Sequence, residues 1–133
     1  MNMLVIDDDA DILDAIVALL EHMGHTVVTA RGGKNGIDEF EKRDFDMVLT
    51  DIFMPDLDGK RVARHIRESG KTSVRVVGMS GTPWAVNKER FDAFLSKPFS
   101  IMDICNCIED LWARPKMATG RTRSTVSPSP GRA

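Results

Sequence analysis

Few cysteines, few histidines and no long apolar run mark this chain, and each shortage removes a class of protein. Cys105 and Cys107 are its two cysteines. They lie two residues apart on a predicted helix and so point to different faces, which makes a disulfide between them geometrically poor. With no disulfide expected, the cytoplasm is the expected compartment. The three histidines, His22, His25 and His65, have no ligand-like spacing, so they are given no metal role. No apolar run approaches membrane-spanning length, so no membrane partner is expected. The first strand-like run begins almost at residue 1 with no basic region before it, and no signal peptide is expected. No internal repeat is visible. Acids are missing altogether from residues 114–133, which carry Arg114, Lys116, Arg121, Arg123 and Arg132.

That last absence divides the chain. The formal net charge is −2; with +5 in residues 114–133, the remaining 113 residues sum to −2 − 5 = −7. An acidic body followed by a basic segment suggests two units with different physics. The body, at 133 residues in all and 42% hydrophobic over the whole chain, is of single-domain size with enough apolar side chains for an ordinary core. Residues 114–133 are rich in Thr, Ser, Gly, Arg and Pro and have almost nothing to bury, so they are expected to be disordered, as a tail or a linker.

Within the body, short β-like runs alternate with helical periodicity, the pattern of a parallel α/β sheet. Strands are expected near 3–6, 26–30, 46–50, 74–79 and 92–95. A first helix spans about 10–23, with Ile12, Leu13, Ile16, Val17, Leu20 and Met23 at helical spacing, Asp9 as its cap and Gly24 at its end. Further helices are expected at about 34–43, 58–69 (Val62, Ala63 and Ile66 inward) and 100–112. The last has Ser100 as cap and one apolar face of Ile101, Ile104, Cys105, Ile108, Leu111 and Trp112, with Cys107 at its margin. Thr82-Pro83 starts one to two further helical turns.

The polar residues that end the apolar runs carry the chemistry. Asp7 and Asp8 follow Met3-Leu4-Val5-Ile6, and Asp51 follows Met47-Val48-Leu49-Thr50. Ser80 ends Val76-Val77-Gly78-Met79, and Lys97 follows Ala93-Phe94-Leu95-Ser96. If each run is a buried parallel strand, all five emerge at the carboxyl edge of one sheet, where open α/β sheets bind ligands. Three carboxylates this close resist joint ionisation, so the arrangement calls for a divalent cation.

Taken together, Val5-Ile6-Asp7-Asp8, Leu49-Thr50-Asp51-Ile52-Phe53-Met54-Pro55, Asp58-Gly59, Met79-Ser80-Gly81 and Lys97-Pro98-Phe99 resemble, in order, the receiver domain of two-component response regulators, of the single-domain, chemotaxis-regulator-like kind. The resemblance covers about 3–112. It implies a doubly wound, five-stranded parallel sheet of flavodoxin-like order 2-1-3-4-5 with helices on both faces, and a division into a receiver domain at 1–113 and a disordered basic tail or linker at 114–133. It implies that Asp51 accepts a phosphoryl group from a sensor histidine kinase or a phosphotransfer protein. Mg²⁺ would be held by Asp7, Asp8, Asp51 and the backbone carbonyl of Phe53, as suits a cation that prefers hard oxygens. Lys97 and the Ser80 hydroxyl would bond phosphoryl oxygens, Gly81 would leave room beside them, and Lys97-Pro98 would be a cis peptide. Phe94, three residues before the lysine, would be the switch residue, without the hydroxyl of the tyrosine common there. The chain would be no enzyme in the ordinary sense, catalysing only its own phosphorylation and dephosphorylation, and would pass its state to a downstream protein.

Each of these residues also has a plainer role. A lone Asp after a strand is most often a turn former, Lys97 alone reads as a solvated lysine, and the stripe Lys60, Arg61, Arg64, Arg67 reads as a solvated helix face. The stretch from Ser80 to Lys97 is about one helical turn shorter than the family's usual spacing, which places any standard dimer through that surface in doubt. One alternative is a receiver cut from a longer regulator whose output domain is missing. Another is an aspartyl-phosphate phosphatase, which needs a second acid where Phe53 stands. The basic segment, without an aromatic, does not make nucleic acid an expected partner of this chain alone.

Overall fold

Strands apolar at successive positions can be buried only when both faces of their sheet are covered, and that is the architecture found. The computed structural model describes residues 1–81 and 91–113; the turns expected after Thr82-Pro83 and the segment 114–133 lie outside the described residues. Strands β1 (Asn2–Asp7), β2 (Thr26–Arg31), β3 (Met47–Asp51), β4 (Arg75–Ser80) and β5 (Ala93–Ser96) form one parallel sheet in the order β2-β1-β3-β4-β5. Helices α1 (Ala10–His22), α2 (Gly33–Lys42), α3 (Gly59–Glu68) and α4 (Ile101–Ala113) cover it. The doubly wound sheet of order 2-1-3-4-5 is as the sequence implied, and each element starts and ends within about two residues of its expected bounds, the ordinary uncertainty of such boundaries.

The period-two alternation of a strand sorts the core into two layers. Met3, Val5, Met47, Leu49, Val77, Met79, Ala93 and Leu95 pack with α1 and α4. Leu4, Ile6, Val48 and Val76 pack with Phe40 of α2 and with Val62, Ala63 and Ile66 of α3. Each buried Val, Leu, Ile, Met or Phe among them is worth about 1.5–3 kcal/mol over leaving it exposed. At the amino edge of the sheet the start of β3 is tied to β1: Asn2 N–H donates to Asp46 Oδ2 and Asp46 N–H to the Asn2 carbonyl, both at 2.7 Å.

α1 starts as expected. Asp9 accepts hydrogen bonds from the N–H groups of Asp11 (2.9 Å) and Ile12 (3.4 Å) and caps it. The buried arc of α4 differs from the expected one. It is Ile104, Cys107, Ile108 and Leu111, a stripe of i, i+3, i+4, i+7 spacing. Cys107 is therefore core and Cys105 only partly covered, its Sγ 3.7 Å from Met23 Sδ; Ile101 and Trp112, one step further round the helix, are exposed. Charge follows the layers. α1 carries Asp11, Asp14 and Glu21, and α4 carries Asp103, Glu109 and Asp110, with no Lys or Arg on either. On the opposite face α3 carries Lys60, Arg61, Arg64 and Arg67 against Glu68 alone.

Candidate functional site

The strand order reverses between β1 and β3, because β2 lies to one side of β1 and the rest of the chain to the other. A crevice opens at such a switch point, at the carboxyl ends of the strands. Ile6 pairs with Thr50, so Asp7 and Asp51 follow side by side at that edge. Both continue the row of side chains that packs on α1 and α4, in register with Val5 and Leu49. Ser80 pairs with Ser96, and Lys97 N–H donates to the Ser80 carbonyl at 2.8 Å, which brings Ser80 and Lys97 to the same edge. The Lys97–Pro98 peptide is cis, as expected.

Asp7, Asp8 and Asp51 each present a carboxylate oxygen, and the three lie within 4.8 Å of one another. Asp7 is fully buried and Asp51 is 6% exposed, while Asp8 lies nearer solvent. Lys97 Nζ sits between the two buried carboxylates, 3.1 Å from Asp51 Oδ1 and 3.2 Å from Asp7 Oδ2. Asp51 Oδ1 also accepts the Ile52 N–H at 3.0 Å, and Asp7 Oδ1 accepts the Asp9 N–H at 3.0 Å.

Burial, and then the charge of Asp7, pushes the Asp51 carboxyl above its ordinary range, against the pull of Lys97 and the Ile52 N–H. Burial likewise raises Asp7, opposed by the Asp9 N–H and Lys97. Burial alone would lower Lys97, but Asp51 and Asp7 together hold it above its ordinary value. Three carboxylates against one ammonium leave −3 + 1 = −2. A doubly charged cation with a preference for hard oxygens fits that donor set and that charge.

The loop from β3 to α3 is pinned at several points. Gly59 N–H donates to the Ile52 carbonyl at 2.7 Å, and Asp58 caps α3 through the Arg61 N–H at 3.1 Å. A Cβ on Gly59 would collide with the Asp51 carbonyl oxygen, so α3 reaches the site only because this residue is glycine. Asp56, to which the sequence analysis gives no role, accepts the N–H groups of Gly33 (3.1 Å) and Lys34 (3.0 Å) at the start of α2. The sequence signal was on the other partner: a helix opening on Gly32-Gly33 has no capping side chain of its own.

Phe94 packs on the α2/α3 layer, its ring 4.8 Å from that of Phe91 and lying over Gly78. Ser80 is buried at the end of β4. Phe53, two residues past Asp51, is 55% exposed. Among the described residues no helix is long and apolar enough to cross a membrane.

Residues 3–109 match the sequence model of the family described as the response regulator receiver domain. The cell cycle response regulator CtrA of Brucella ovis is 31% identical over 131 residues, which cover 96% of this chain and 55% of that protein. The chain thus spans about half the length of the curated relatives it matches. A response regulator receiver domain protein from Clostridium thermocellum superimposes with a TM-score of 0.72 at 31% identity, covering 82% of this chain and 91% of that one. The response regulator TrrA of Thermotoga maritima, solved in complex with Mg²⁺–BeF, gives 0.76 at 24% identity, covering 83% and 97%. The receiver domain of the hybrid histidine kinase CckA gives 0.70 at 23%, also covering 83% and 97%.

Proposed function

The chain belongs to the response regulator receiver family, and from that premise we propose that it accepts a phosphoryl group on Asp51 from a phosphohistidine of a sensor histidine kinase or phosphotransfer protein. One observation carries the proposal: the Lys97 ammonium stands within 3.2 Å of both buried carboxylates, beside a third, at the switch point of the sheet. Asp7, Asp8, Asp51 and the Phe53 carbonyl would hold Mg²⁺, which when bound neutralises charge on the transferring group.

Asp51 Oδ1 is anchored by Lys97 and the Ile52 N–H, which leaves Oδ2 as the nucleophile. Oδ2 attacks phosphorus, the P–N bond breaks, and the imidazole leaves with the electron pair and takes a proton from solvent. Lys97 then turns from the carboxylate to a phosphoryl oxygen, and the Ser80 hydroxyl donates to another. Hydrolysis reverses the loading: water attacks phosphorus, the bond to Asp51 breaks, and phosphate leaves. The chain catalyses only these two steps on itself.

The new group adds about −1.5 to −2 charge at pH 7. As Ser80 moves toward it, Phe94 changes its packing over Gly78, and the altered surface is read by a downstream protein in the cytoplasm as a shift between two populations. Residues 1–113 are the phosphorylated unit, and 114–133 a tail or linker.

Radiolabelled acetyl phosphate, or a phosphohistidine donor, with and without Mg²⁺ tests the proposal. Wild type should give an acid-stable, base-labile label that chelation prevents and that Asp51→Asn abolishes. Label persisting in Asp51→Asn would place the acceptor elsewhere.

A further inference from the structure

The β2–α2 junction touches both halves of the site without contributing a group to the chemistry. Gly32 N–H donates to the backbone carbonyl of Asp7 at 3.2 Å, and Arg31 Nη2 donates to the carbonyl of Asp8 at 3.2 Å. The next two N–H groups, of Gly33 and Lys34, are taken by the Asp56 carboxylate on the loop that follows Asp51. Four consecutive residues thus bridge the end of β1 to the β3–α3 loop. Gly32 has φ +92, and a Cβ there would stand 2.9 Å from Asp56 Oδ2, so the junction has room for the carboxylate only as glycine. We propose that Asp56 is a positioning residue of the phosphoacceptor site. It clamps the loop bearing Phe53 to the strap Arg31–Lys34, and so sets the spacing between the β1 carboxylates and that loop.

The inference rests on the proposed function, since the loop matters to metal binding through the Phe53 carbonyl. The geometry explains why an acid serves here. Two adjacent N–H groups at a helix start need two acceptors on one side chain, and a carboxylate offers both, next to the positive end of α2. Hydrogen bonds from backbone N–H groups, that of Lys34 first, hold the Asp56 carboxyl below its ordinary range. Asp56 is exposed and lies on neither core layer, so its removal disturbs the strap and not the packing.

A plain helix cap would cost stability alone. A clamp would cost Mg²⁺ affinity as well. The test titrates MgCl₂ into wild type, Asp56→Ala, Asp56→Asn and Asp46→Ala, following backbone amide shifts at Asp7, Asp8 and Phe53. Asp46→Ala removes a carboxylate that also ties one element to another, but at the far edge of the sheet. Expected is about a tenfold weaker Mg²⁺ affinity in Asp56→Ala, at the low end for loss of an outer-shell partner. Asp56→Asn should be intermediate, because its amide oxygen keeps one of the two bonds, and Asp46→Ala should bind as wild type. Phosphorylation of Asp56→Ala by acetyl phosphate should recover at saturating Mg²⁺, since no reacting group has changed. If Asp56→Ala and Asp56→Asn melt lower yet bind Mg²⁺ as wild type does, the clamp is refuted and Asp56 is a cap only. If wild type itself binds no Mg²⁺, the metal-dependent function fails, and the clamp with it.

Discussion

Replacing Gly59 by alanine probes a close approach between α3 and the end of β3. The added methyl would land on the Asp51 carbonyl oxygen, 2.9 Å from Ile52 Cα and 3.1 Å from the Asp51 carbonyl carbon. All three are backbone atoms, so no rotamer change relieves the overlap. Either α3 backs away or the end of β3 shifts. Overpacking of this kind costs about 1–3 kcal/mol. Alanine returns up to about 1 kcal/mol of helix propensity in a helix interior, but Gly59 is the first residue of α3 and gains less. A net loss of about 1–2 kcal/mol remains, or roughly 4–8 °C in melting temperature for a domain near 100 residues. Two of the three atoms belong to Asp51 itself, so phosphorylation by acetyl phosphate should slow in the same variant. Gly81→Ala is the matched control, because a Cβ there meets no atom of the described residues within 4 Å, and it should melt as wild type does. Thermal unfolding by circular dichroism decides the matter. A Gly59→Ala protein melting within about 1 °C of wild type would refute the reasoning.

Lys97→Ala should slow phosphorylation by removing a charged contact worth about 1.5–3 kcal/mol, and Phe94 should then keep its unphosphorylated environment on adding acetyl phosphate, as read by its aromatic NMR signals. Phe53→Asn should shorten the phosphoryl lifetime without greatly slowing its formation, because a polar side chain admits and orients water where the phenyl group crowds it; an unchanged decay of radiolabel would remove that role. In metal-free protein, Asp7 and Asp51 are raised by burial and then by neighbouring carboxylates, so the folded state holds protons more tightly than the unfolded one. Their effect on stability is therefore absent below the unfolded carboxylate value of about 4, becomes destabilising as pH rises through the raised folded values, and is complete above them. Urea unfolding across that window should show Asp51→Asn gaining on wild type as pH rises, and Mg²⁺ should narrow the gap; a gap that shrinks with pH in the absence of metal would reverse the sign. A chain ending at Arg114 should lose no more than about 0.5 kcal/mol, as surface changes rarely do, because Met117, Ala118, Val126 and Ala133 offer too little to bury; a large fall in melting temperature would mean that the segment docks on the body.

The parts of this protein that could be read from its sequence are those encoded within one element. Met3 to Asp8 states both a buried strand and the polar residues at its end, and the parallel sheet gathers such ends without further instruction. Asp7, Asp51, Ser80 and Lys97 were found in this way, and the structure brings them to one edge. What escaped depends on distant partners or on fine angular position. Asp56 bonds N–H groups 22 and 23 residues away, and nothing near it in the chain announces them. The core side of α4 was read one step too far round, toward Cys105, because both cysteines fit an apolar stripe and only the sheet beneath decides between them.

The charges on the helices have a consequence of their own. Acid lies on α1 and α4 and base on α3, with the sheet between them, while α2 beside α3 sets Asp38, Glu39 and Glu41 against Lys34 and Lys42. The formal charges of the described helices are thus −3 − 3 = −6 on one face and +3 − 1 = +2 on the other, and the domain is polarised through its thickness. A body charged in this way feels a torque in the field of any charged surface, and it turns before it touches. A basic surface would meet the acidic layer first, at whose upper edge Asp7 and Asp51 lie; an acidic one would meet α3. Because this field fades over about 8 Å at physiological ionic strength, salt should slow the encounter far more than it loosens a complex once formed.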